Sequence, residues 1–162
     1  MFIEWENLPR KTMSSGALFF NKEGKFIITK PNYKEGWNIP GGMVDPQESP
    51  SEAFEREVKE ELGLEKKPVC LLGFDYVKEK ENRTQHDHVI FIFDGGVLTD
   101  EEIHSIKLQE EELIEYRFVS LEEARGLLEK DFARRLPKCI EARNVHAVVY
   151  LENGEGIFQR SE

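Results

Sequence analysis

The stretch GGMVDPQESPSEAFEREVKEELGL, residues 41–64, reads as two glycines, a polar loop and a helix crowded with glutamates on one side. Ser49, Pro50 and Glu52 supply an N-cap, a first-turn proline and a capping-box partner, and Gly63 suits a helix C-terminus. The spacing predicts a helix from about residue 50 to 62. On that helix Phe54, Val58 and Leu62 form an apolar arc, and Glu57, Glu60 and Glu61 lie on the arc beside it. With the apolar arc docked on a sheet, the carboxylates emerge at the edge of the core and converge. Like charges at i,i+3 and i,i+4 repel by roughly 0.2–0.5 kcal/mol per pair, and anions in a last turn lose a further ~0.3–1 kcal/mol each against the helix dipole. A divalent cation would reverse both penalties. The donors on offer are oxygens, which suits Mg²⁺ or Mn²⁺ and argues against zinc. The competing reading is a solvated acidic face, for which the further Glu pairs at 101–102 and 122–123 speak.

Outward from this stretch, strand-like SSGALFF (14–20) and KFIITK (25–30) flank NKEG, a hairpin connection. Beyond it come VCLLGFDYV (69–77), HVIFIF (88–93) and EYRFV (115–119), all rich in β-formers. Ser120 opens a capping box that predicts a helix over 121–129, residues 131–143 read as a helix interrupted at Pro137, and the chain's last stretch reads as a hairpin turning at Asn153-Gly154. Strands and helices in this order predict an α/β fold, a mixed sheet covered by helices on its faces.

With 162 residues and 39% hydrophobic content, a single domain over residues 1–162 is expected. The formal charge of −10 opposes DNA and anionic membranes, whose electrostatics ask for a basic surface. Cys70 and Cys139 show no metal or disulfide spacing, which suits buried thiols in a reducing compartment. The N-terminal MFIEWENLPRKT lacks a signal-peptide core and no run approaches 18 apolar residues, so a cytoplasmic location is expected. Monomer and homodimer both remain open.

The full spacing decides between the two readings of the glutamates. Gly42, five residues, Glu48, seven residues, Arg56-Glu57-Val58, one residue, Glu60-Glu61, one residue and Gly63-Leu64 fill a fixed pattern. Rough residue frequencies put its chance occurrence on the order of one in 10⁵ to 10⁶. The pattern resembles the Nudix box, G-x5-E-x7-R-E-U-x-E-E-x-G-U with U apolar, and Trp37-Asn38-Ile39-Pro40-Gly41 looks like the usual approach to it. The resemblance implies a Nudix-type α/β/α sandwich and a metal-dependent hydrolase that cleaves a diphosphate bond in a nucleoside diphosphate linked to another moiety. It further implies that Glu57, Glu60 and Glu61 ligate Mg²⁺ or Mn²⁺, with one of them accepting the water's proton, and that the Gly41 carbonyl lies near the metal. Glu48 and Arg56 suit a bidentate pair fixing the loop against the helix, and Gly42 supports the turn. In many relatives a glutamate some six residues before a strand's aromatic is a ligand or base; counting back from Phe118 selects Glu112 as a further catalytic candidate.

Around the box, His86 and His88 share a strand face, Trp5, Phe74 and Tyr76 are candidates for stacking on a base, and Lys30 and Lys34 for contacting phosphate. Each has a plain structural alternative: strand-end histidines, core aromatics, a solvated loop. The residues after the box lack the proline that accompanies ADP-ribose hydrolysis, and other subfamily markers are also missing, which leaves a small nucleotide such as a nucleoside triphosphate, oxidised or not, or a nucleotide sugar. A catalytically silent nucleotide-sensing module is one alternative. An RNA 5′-end pyrophosphohydrolase is another, disfavoured by the acidic balance.

Overall fold

The computed structural model describes residue 8, residues 10–78 and residues 86–156. Strands β1 (Thr12–Phe20), β2 (Phe26–Pro31) and β3 (Gly41–Met43) precede helix α1 (Pro50–Leu62). Then come β4 (Cys70–Val77), β5 (His88–Val97), α2 (Asp100–His104), β6 (Leu113–Val119), α3 (Leu121–Arg125), α4 (Lys130–Asn144), β7 (Val149–Glu152) and β8 (Glu155–Gly156). The strands form one mixed sheet in the order β6-β2-β1-β5-β4-β7-β8, with β3 beside β1. Pairings β1–β5 and β4–β7 are parallel, and β1 runs antiparallel to both β2 and β3.

Alternation along β1 divides the core in two. Leu18 and Phe20 join Ile28, Ile90, Ile92, Leu136 and Cys139 on the face covered by α3 and α4. Ala17 and Phe19 join Ile27, Phe54, Val58 and Leu62 on the face covered by α1. The molecule is therefore an α/β/α sandwich, as expected from the sequence. The predicted helix 50–62 is α1, with the capping box of Ser49 and Glu52 closed and Gly63 left-handed at φ 70°. The terminal hairpin turns where expected, with Asn153 and Gly154 both at positive φ.

Several elements differ from expectation. Strand β3 was not predicted, because Gly-Gly-Met carries no side-chain pattern and becomes a strand only through its register with β1, Ser14 opposite Met43, Ser15 opposite Gly42 and Gly16 opposite Gly41. Helix α2 was also missed, although Thr99 and Glu102 close a capping box there. Helix α3 ends at Arg125 instead of continuing to 129, with Gly126 next. Pro137 does not interrupt α4. Arg135 and Leu136 before it and Cys139 and Ala142 after it are buried, and this anchoring on both sides outweighs the one lost backbone bond.

Candidate active site

The apolar arc of α1 docks on the sheet and sets the height of each glutamate. Phe54, Val58 and Leu62 are buried, and Glu61, one residue before Leu62, is drawn in with them to 7% exposure. Its Oε2 accepts the Gly41 N–H at 2.9 Å. Burial, opposed in part by that hydrogen bond and reinforced by the charges of Glu57, Glu112 and Glu60, pushes the Glu61 carboxyl up to about 8. Glu57 is half-buried and is raised for the same main reason, with Arg56 pulling the other way. Glu60 is half-exposed.

Arg56 organises the loop and the helix together. Its Nε and Nη2 donate to the two carboxylate oxygens of Glu48 at 2.9 and 3.0 Å, a bidentate pair. Nη1 donates to Glu57 at 2.7 Å and to Glu60 at 3.1 Å, and Nη2 also reaches the Met43 carbonyl at 2.9 Å. Arg56 holds the Glu48 carboxyl below its ordinary range. The repulsion between Glu57 and Glu60 thus has an internal cation to offset it. Among the described residues the Glu61 carboxylate has the Gly41 N–H as its one hydrogen-bond partner.

The two glycines are required by close approach. A Cβ on Gly41, whose φ is +141°, would lie 2.1 Å from the Ser15 carbonyl oxygen. A Cβ on Gly42 would lie 2.2 Å from Glu57 Oε1, so the absence of a side chain there makes room for a carboxylate. Beside Gly42, Ser15 is 2% exposed and its hydroxyl has no hydrogen-bond partner among the described residues. Buried polar atoms are seldom left so.

Glu112 is exposed and sits in the turn entering β6, where its N–H donates to the Gln109 carbonyl at 3.0 Å. Gln109 N–H in turn donates to the Glu61 carbonyl at 3.2 Å, tying this loop to the end of α1. The charge of Glu112 bears on both Glu57 and Glu61.

The expected convergence of carboxylates is incomplete. Among the described residues no three carboxylate, histidine or cysteine groups already close around one point, because Arg56 holds Glu57 and Glu60 and Gly41 holds Glu61. The donor set nevertheless fits a hard divalent cation: oxygens only, one carboxyl buried against its charge, and an orphaned hydroxyl on the same face.

The remaining candidates divide. His86 is exposed, whereas His88 is half-buried with both ring nitrogens engaged. Phe74 stacks on Phe91 and meets Tyr150 edge-on, a packing role, and the Tyr76 hydroxyl donates to Asp87. Lys34 pairs with Glu129 at 2.9 Å, and Trp5 lies outside the described residues. The sequence reading did not find a pocket on the other face, lined by Met43, His88, Phe132 and Arg135 among others, nor the buried Arg135–Asp75 pair behind it. Only the alternation of His86 and His88 hinted at it.

A carboxylate-bearing helix joined by a glycine loop to a mixed sheet defines a class of protein, and comparison with known proteins agrees. The chain matches the NUDIX domain model over residues 10–142 and belongs to the NUDIX family. Over 58 residues, 36% of this chain and 35% of the relative, it is 45% identical to an RNA pyrophosphohydrolase of Hydrogenovibrio crunogenus. Over 58 residues, 36% of this chain and 32% of the relative, it is 38% identical to diphosphoinositol polyphosphate phosphohydrolase 2 of Rattus norvegicus. These matches span about a third of the length of either curated relative. Among solved structures, a MutT protein from Methanosarcina mazei Go1 superposes with a TM-score of 0.66 at 29% identity, covering 90% of this chain and 99% of that one. A UDP-X diphosphatase superposes with a TM-score of 0.71 at 20% identity, covering 89% and 68%, a likeness of fold alone. No helix among the described residues is long and apolar enough to cross a membrane.

Proposed function

We propose that this protein is a hydrolase of the diphosphate bond in a small nucleotide, a nucleoside diphosphate linked to another moiety, with Mg²⁺ or Mn²⁺ as cofactor. The observation that carries the reading is Glu61: a carboxyl taken almost fully out of water, beside two further glutamates, with a proton affinity raised to about 8. Such an arrangement costs stability unless a cation or a proton occupies it.

Glu57, Glu60 and Glu61, with the Gly41 carbonyl, would hold the ion. When bound, the ion supplies positive charge that screens the diphosphate and polarises an attacking water. The other tasks fall to the chain. Arg56 locks Glu48 and the Met43 carbonyl to α1, which holds the loop and the helix in one geometry. Gly42 leaves the Glu57 carboxylate its place against β3. Glu61, with Oε2 taken by Gly41, has Oε1 on which to hold a proton. Glu112 enters with substrate from a loop already anchored to the end of α1.

A second reading, action on RNA 5′ ends, has one observation in its favour: the 45% identity over 58 residues to an RNA pyrophosphohydrolase. The formal charge of −10 weighs against it. Incubation with Mg²⁺ and nucleoside triphosphates, oxidised nucleotides, nucleotide sugars, dinucleotides and a 5′-triphosphorylated RNA, with products resolved by chromatography, tests both. The expected result is a nucleoside monophosphate from a small nucleotide. Faster turnover of the RNA would favour the second reading, and binding without any product would mark a sensing module.

A further inference from the structure

On the sheet face opposite α1, a pocket of about 410 Å³ opens between the N-terminal part of α4 and the ends of β1, β4 and β5. Its size is that of a small-ligand site. Met43 lines it, and the Met43 carbonyl is also a partner of Arg56, so the pocket adjoins the glutamate site across the short strand β3. Val77, Ile90 and Phe132 supply apolar walls, and the Arg135 guanidinium stacks on the Phe132 ring with 4.8 Å to its centroid.

Among the described residues, every charged side chain that lines this pocket has an opposite charge in reach. Lys78 faces Glu152 at 3.6 Å, Glu129 holds Lys34 at 2.9 Å, Asp131 holds Arg134 at 2.7 Å and Arg135 holds Asp75 at 2.9 Å. The described lining is thus electrostatically balanced and mostly apolar, which suits an uncharged flat ring, and it holds no unpaired cation cluster for a polyphosphorylated group.

The neutral polar groups have a particular geometry. His88 Nδ1 lies 2.7 Å from the Thr12 hydroxyl, which lines the pocket, and His88 Nε2 lies 2.9 Å from the Ser14 hydroxyl behind it. Burial and the charge of Arg135, opposed in part by Asp75, hold His88 below its ordinary range, so the ring is a neutral imidazole with a single N–H. With the proton on Nδ1, the ring donates to Thr12, whose own O–H is left to donate into the pocket. Ser14 then donates to Nε2. With the proton on Nε2, the ring donates to Ser14, and Thr12 donates to Nδ1 and offers the pocket an acceptor. Because a hydroxyl can donate or accept, both ring nitrogens keep a partner in either tautomer.

We propose that the Thr12–His88–Ser14 relay reads the substrate's nucleobase in this pocket, and that its exchangeable tautomer lets one site accept bases presenting either a donor or an acceptor toward Thr12. This rests on the hydrolase reading above for the identity of the substrate. Thr12 is the group that touches the base, and His88 and Ser14 are positioning residues acting through it. The consequence is tolerance: 6-amino and 6-oxo purine nucleotides, whose hydrogen-bonding edges are inverses of one another, are both accepted.

The test is ¹⁵N NMR of the full-length protein labelled at histidine, titrated with adenosine 5′-monophosphate and with inosine 5′-monophosphate. Neither ligand has a diphosphate bond, so the result is independent of whether the protein hydrolyses one. The expected outcome is that the His88 ring nitrogens move toward opposite tautomers with the two nucleotides. Shifts in the same direction, no response of His88 when either nucleotide binds, or no binding of either nucleotide would overturn the proposal. As a second measurement, Thr12→Val, which keeps the shape of the side chain, should raise KM for both purine triphosphates about tenfold with kcat changed less than about threefold. An unchanged KM would equally overturn it.

Discussion

Replacing Glu61 by glutamine should stabilise the metal-free protein at alkaline pH, the opposite of what loss of a buried hydrogen-bonded residue usually does. The Glu61 carboxyl moves from an ordinary 4.5 to about 8 on folding, so between those values the folded chain binds a proton that the unfolded chain has released. Stability from this group is therefore fully present below about pH 4.5 and is lost as pH rises toward 8. At 1.36 kcal/mol per unit, the loss between pH 5 and pH 8 is about 3–4 kcal/mol. Glutamine keeps an oxygen for the Gly41 N–H and does not titrate. Its extra N–H costs roughly 1 kcal/mol if left unmet, but that cost is the same at both pH values and cancels in the comparison. At ~2–4 °C per kcal/mol for a chain of this size, the Tm difference between variant and wild type should grow by about 6–16 °C from pH 5 to pH 8 in EDTA. Millimolar Mg²⁺ should raise the wild-type Tm at pH 8 and leave the variant nearly unmoved. Parallel Tm profiles for the two proteins across this range would mean that Glu61 is not held in a charge-hostile site.

Three further outcomes are expected. Gly42→Ala places a methyl group 2.2 Å from Glu57 Oε1, a flexible side-chain end that can yield, so hydrolysis should fall at least about tenfold while Tm changes little; Gly41→Ala, meeting the Ser15 backbone at 2.1 Å, should instead lower Tm markedly. Asp75→Ala leaves the Arg135 guanidinium buried without its carboxylate and should cost about 3–5 kcal/mol in urea unfolding, a loss that Arg135→Met in the same chain should largely recover. Glu112→Gln should lower kcat by about tenfold or more while leaving Mn²⁺ affinity of the free enzyme nearly unchanged; equal small effects at Glu110, Glu111 and Glu112 would remove Glu112 from the chemistry.

What the sequence made legible was local. The box helix was readable to the residue because Ser49, Pro50, Glu52 and Gly63 state its ends, and the arc of Phe54, Val58 and Leu62 states its buried face. The closeness of Glu48, Arg56, Glu57 and Glu60 follows from spacing within one loop and one helix. The role of Arg56 as the internal cation between Glu57 and Glu60 was not foreseen, since the bidentate geometry suggested a partner for Glu48 alone. Contacts that close over long sequence separations were invisible. Strand β3 exists only against β1, the Arg135–Asp75 pair joins residues sixty apart, and the pocket gathers side chains from β1, β3, β5 and α4. The Thr12–His88 hydrogen bond spans 76 positions and arises from the parallel register of β1 and β5, which no pattern in either strand announces. Pro137 marks the converse case, a strong local signal overridden by burial on both sides of it.

Whether the α1 glutamates serve metal-dependent attack of water on a diphosphate is decided by ³¹P NMR of the reaction run in H₂¹⁸O with Mg²⁺. A nucleoside triphosphate or nucleotide sugar should be cleaved, with one ¹⁸O appearing on a phosphorus of the broken diphosphate. The signal should vanish in excess EDTA and fall at least about 100-fold in Glu61→Gln. Cleavage that persists in EDTA, or that survives intact in Glu61→Gln, would mean that these glutamates do not carry the reaction.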